Sequence, residues 1–136
     1  MIQLKKEDNW EGPEGIHTAV LREIRVTERI VGGKMVTTIR PVFHLTSLTS
    51  PRYNFVVAKN YPLTDPDRLK ADFESWLGDK FYDLADANGK ISREALDSLV
   101  GKTADLYVIH IHNDSHKAPF CHVAAIAPSG SLPSQN

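Results

Sequence analysis

Between Ile16 and Ile30 the residues alternate with period two: Ile16, Val20, Ile24, Val26 and Ile30 on one parity, Ala19 and Leu21 on the other. Such alternation over fifteen positions predicts a strand longer than the usual five or six residues. Arg22 interrupts the apolar parity, so a bend or bulge is expected near 21–23. Gly32-Gly33-Lys34 supplies the positive-φ positions of a tight hairpin. The return strand, 34–46, places Met35, Thr37, Ile39, Phe43 and Leu45 on one face and Thr38, Arg40, Val42 and His44 on the other. Pro41 has no N–H to donate and is expected at an edge or bulge. After the turn at 47–51, residues 53–60 read as a third strand.

The period then changes. Leu69, Phe73, Trp76 and Leu77 recur at helical spacing, behind a Thr64-Asp65-Pro66 start and ahead of Gly78. A shorter helix is expected from Ser92, presenting Leu96, Leu99 and Val100. Residues 103–112 and 120–127 are again strands, with a turn at Asn113–His116 between them. Residues 1–14 read as an irregular arm, with Trp10 their large apolar group, and 129–136 as a frayed Ser/Pro/Gly tail. The order β-β-β-α-β-β, with the helical insert at 65–101 inside a domain spanning 15–128, predicts a mainly β protein. The expected form is a five-stranded Greek-key barrel of the oligonucleotide/oligosaccharide-binding (OB) type.

At 136 residues the chain fits one domain. A single cysteine, Cys121, excludes an internal disulfide and suits a reducing cytoplasm. The first eight residues lack the apolar centre of a secretory signal, and no apolar run suits a membrane helix. Charge adds the most. Residues 22–59 hold seven basic and two acidic side chains, a balance of +5 in a chain of net charge -1; residues 60–101 carry -4. Segregation of this kind can attract a polyanion where net charge cannot.

Single-stranded nucleic acid is held by cations along its backbone and aromatic faces under its bases. The residues expected to do so are Arg29 and Lys34 at the hairpin, Arg40 and His44 on the second strand, and Arg52, Tyr53, Phe55 and Lys59 on the third, with Tyr61 beyond it. His110, His112, His116 and His122 read as ordinary strand and turn polar groups, with no zinc site expected. Asp86-Ala87-Asn88-Gly89 lacks the first and twelfth ligands of a calcium loop and reads as a turn before a capped helix. No nucleotide loop, nucleophile elbow or paired acid–base carboxylates appear, so neither catalysis nor a cofactor is expected.

Short stretches along the domain resemble small OB-type single-stranded DNA-binding proteins of phages and prophage-like elements. They are Gly15-Ile16-His17, Val42-Phe43-His44-Leu45, Lys59-Asn60-Tyr61-Pro62-Leu63, Leu69 with Trp76-Leu77-Gly78, Leu99-Val100-Gly101-Lys102, and Val123-Ala124-Ala125-Ile126. The resemblance implies single-stranded DNA binding with little sequence preference, in phage-type replication or recombination in the host cell cytoplasm. RNA is the alternative ligand; further copies of the chain and replication or recombination proteins are the protein partners it admits. The tail from Ser129 carries no acidic residues, unlike the partner-recruiting tails of cellular single-strand binders. A competing reading is a non-enzymatic interaction module of a replication or virion assembly, docking through the acidic helical insert.

Overall fold

The computed structural model describes residues 2, 5–112 and 120–132. The predicted strands are present. The long strand β2 (Gly15–Val31) turns at Gly32 and Gly33, whose φ values of 59° and 79° suit a two-residue hairpin, into β3 (Lys34–Leu45). The ladder shifts register between Leu21 and Glu23, with Arg22 as the extra residue, at the position where the alternation breaks. Next come β4 (Tyr53–Ala58), the two-residue β5 (Tyr61–Pro62) and helix α1 (Pro66–Leu77). A 3-10 segment (Gly78–Leu84) and helix α2 (Arg93–Asp97) complete the insert, and β6 (Thr103–Ile111) and β7 (Phe120–Ala127) follow.

Three positions explain local choices. Pro41 falls between the stretch of β3 that pairs β4 (Val42–His44) and the stretch that pairs β5 (Thr38–Ile39), so its missing donor interrupts neither ladder. Asp86 Oδ1 accepts from the N–H of Asn88 and Lys90 at 2.8 and 2.9 Å, closing a turn. Ser92 caps α2 by accepting from Ala95 N–H at 3.1 Å.

The arm is where expectation and structure part. Residues Glu7–Asn9 form a further strand, β1, which pairs in parallel with β4 (Glu7 opposite Tyr53, Asn9 opposite Phe55). The strand order is β1-β4-β3-β2-β6-β7, with β5 paired to β3 off this path. The protein is therefore mainly β, but among the described residues its sheet is open and has seven strands, where a closed five-stranded barrel was expected. The physical reason is the arm. β1 takes an edge of β4, and β4 and β7 come into contact without forming a ladder among the described residues.

Gly12 continues the arm over the end of the core: a Cβ there would sit 3.0 Å from Leu45 Cδ1. Its carbonyl accepts from His110 Nε2 at 2.7 Å and from Cys121 Sγ at 3.2 Å. His17 Nε2 lies 2.8 Å from the Pro13 carbonyl. Because a carbonyl can only accept, both imidazoles must carry their proton on Nε2.

The core joins Leu21, Phe43 and Leu45 of the first hairpin to Leu106, Val123 and Ile126 of the second. α1 closes one side. Its Phe73 and Trp76 rings meet edge-on at 5.7 Å, Trp76 meets Phe43 at 5.7 Å, and Trp76 Nε1 donates to the Thr103 carbonyl at 2.9 Å. Among the described residues, no helix is long and apolar enough to cross a membrane.

Candidate nucleic-acid interface

The antiparallel register of β2 and β3 sets the basic face. Arg25 stands opposite Arg40, Thr27 opposite Thr38, and Arg29 opposite Val36. Cross-strand partners project to the same side of a sheet, so this parity collects Arg25, Arg29 and Arg40 on one surface. A trough there is walled by Arg29, Thr27, Thr38, Arg40 and Asn60. Arg40 and Asn60 also wall a second hollow of about 410 Å³, between the end of β4 and the start of β7. The two hollows therefore adjoin across Arg40 and Asn60. Arg40 Nη1 donates to Asn60 Oδ1 at 3.3 Å, while its Nε is buried without a partner among the described residues.

Trp10 enters this surface from the arm. The Arg40 and Arg25 guanidiniums lie 5.5 and 6.0 Å from the centre of its ring, within the range of cation–π attraction. Trp10 remains 38% exposed. Two residues earlier, Asp8 takes a bidentate pair of hydrogen bonds from Arg22 at 2.9 and 3.0 Å. These hydrogen bonds, ahead of the charge itself, hold the Asp8 carboxyl below its usual range.

The expected site residues divide. Arg29, Lys34 and Arg52 are exposed, and Arg40 and Lys59 wall the second hollow. Arg52, however, lies at the β1 end of β4 and folds over Tyr53 at 5.1 Å from the ring centre. Tyr53 is half-buried and packs on Phe55 with centroids 6.4 Å apart; Phe55 rests against the core. His44 is half-buried, close enough to Asp8 to favour that carboxylate. Lys59 Nζ is 2.8 Å from Asp72 Oδ2, in a pair whose side chains are only 12% and 20% exposed. Tyr61 is fully buried and donates its hydroxyl to the same oxygen. Burial first, then this hydrogen bond, push its phenol well above the ordinary tyrosine range. A ring enclosed in that way offers no face to a base, so Tyr61 is a core residue and not part of the surface.

Residues missed from the sequence take those places. Arg68 from α1, and Phe120 and His122 from β7, wall the second hollow with Trp10. Burial, and next the charge of Lys59, hold the His122 imidazole below its usual range; Asp72 pulls the other way and Arg68 adds to the lowering. A lone tryptophan in a polar arm was the available signal for Trp10. Nothing local marked Arg68 or His122, because contacts between α1, β7 and β4 bring them together. Of the histidines considered for metal, His110 is engaged by Gly12, and His116 lies outside the described residues. Compared with known proteins, the chain matches no family model and no curated protein.

Proposed function

We propose that the protein binds single-stranded DNA with little sequence preference, as an OB-like domain serving phage-type replication or recombination. The connectivity supports this reading. The strand succession β4-β3-β2-β6-β7 is centred on a long bent β2 that pairs on both sides, and the helical insert joins the third and fourth main strands. The observation that carries it is Trp10 lying against Arg25 and Arg40 on the basic face. An exposed aromatic ring beside cations is the combination that suits the bases and phosphates of a single strand.

Charge and burial explain the division of labour. Arg29, Lys34 and Arg40 meet the backbone, Trp10 meets bases, and the second hollow continues the path toward β7. Few of these groups distinguish one base from another, which accounts for weak sequence preference. Titration of oligo-dT at several salt concentrations tests the reading. Three to five phosphate contacts give a slope of log K against log salt of roughly -2 to -3.5. Absence of binding at low salt would refute it.

The interaction-module reading has one observation in its favour. The acidic insert carries an apolar slot lined by Leu69, Phe81, Tyr82 and Ile91, with Tyr82 51% exposed. Retention of function in cells by a protein unable to bind any single strand would favour it.

A further inference from the structure

We propose that the hollow between the end of β4 and the start of β7 seats one unpaired nucleobase, with Trp10 and Phe120 contacting its ring and Arg40 and Arg68 holding the adjoining phosphates. This inference rests on the single-strand reading above and assigns it a discrete subsite. The hollow's volume of about 410 Å³ lies in the range of small-ligand sites, roughly 300–1,000 Å³.

Its chemistry selects a flat, anionic ligand. Trp10 and Phe120, 38% and 51% exposed, are aromatic walls contributed by separate elements. The cations come from three further directions: Arg40 from β3, Lys59 after β4 and Arg68 from α1. Among the described residues no carboxylate lines the hollow; the neighbouring Asp72 is taken by Lys59 and Tyr61. Arg40 Nε, buried and without a partner among the described residues, leaves that guanidinium with a donor still to satisfy. The trough beside β2 and β3 shares Arg40 and Asn60 with the hollow as walls. A strand lying along the hairpin thus reaches the seat past Arg40 and Asn60.

The test compares oligo-dT with an abasic deoxyribose-phosphate strand of equal length, for the full-length protein and for Trp10→Ala, Phe120→Ala and Arg40→Ala. Loss of one stacked base weakens oligo-dT binding by about 5- to 150-fold. The expected result is that loss in both aromatic variants, with their affinity for the abasic strand unchanged. Phe120→Ala provides an arm-independent measurement, since Trp10→Ala also removes one of the contacts that hold the arm. Arg40→Ala is expected to weaken both ligands. Aromatic variants that bind oligo-dT like the parent while Arg40→Ala weakens it would overturn the seat and leave strand binding intact. Equal losses for oligo-dT and the abasic strand would overturn it as well, by showing that bases are not involved. A parent protein that binds neither strand at low salt would overturn the single-strand reading itself.

Discussion

Arg22 and Asp8, fourteen residues apart, form a bidentate ion pair that ties the arm to the bulge of the longest strand. The pair neutralises one of the seven cations in the basic stretch. Asp8→Asn should free Arg22 and strengthen oligo-dT binding at low salt, with a steeper salt slope. The effect on stability should be small, about 0–1 kcal/mol, as for other solvent-accessible pairs. Because the Asp8 pKa is lowered in the folded state, its contribution is present above the unfolded value and lost as pH falls through the folded one. Salt-dependent titrations and acid melts of both proteins check these expectations.

Trp76 joins α1 to both hairpins, through Phe43 on one side and the Thr103 carbonyl on the other. Trp76→Ala should cost about 3–5 kcal/mol, as large-to-small changes in a packed core do. Urea unfolding measures this directly. A variant with an unchanged midpoint would mean that the helix stripe is not buried against the sheet.

Tyr53 sits beside Glu7 of β1 in the sheet, half-buried and in contact with Phe55 and Arg52. Tyr53→Ala should therefore act mainly on stability, by about 1–3 kcal/mol, and change oligo-dT affinity less than Trp10→Ala does. Melting curves recorded beside each titration separate the two effects. A stable Tyr53→Ala protein with a tenfold loss of affinity would move the stacking surface to β4.

His122 faces Lys59 from the end of β4, and Asp72 and Arg68 from α1. Its lowered pKa means that the unfolded chain takes up a proton first as pH falls, so stability declines below the unfolded value near 6.5. A bound phosphate would offset the repulsion from Lys59 and Arg68. The imidazole pKa should then rise in the complex, and affinity should increase as pH falls from the complex's value to the free protein's. NMR titration of the His122 ring with and without oligo-dT measures both shifts; an unmoved pKa would place the strand elsewhere.

The local pattern by itself determined most of the elements. Period-two alternation specified β2 and β3, runs of β-forming residues marked β4, β6 and β7, the break at Arg22 marked the bulge, and the Leu69–Trp76 spacing marked α1, because each depends on neighbours within a few residues. The basic parity of the first hairpin followed from the same alternation once Gly32 and Gly33 set the turn. Which aromatic rings remain open could not be read in this way. Tyr53 and Tyr61 lie in strands that also suit an outward face, and only tertiary packing decided them. β1 lies along β4 at Tyr53, and Asp72, eleven residues beyond Tyr61 and on α1, draws that hydroxyl inward. The same long-range packing places Trp10 against Arg25 and Arg40 and gathers Arg68, Phe120 and His122 around one hollow. Alternation decides on which side of its own strand a residue projects, while cover on that side comes from segments distant in sequence, so the surface belongs to the tertiary structure.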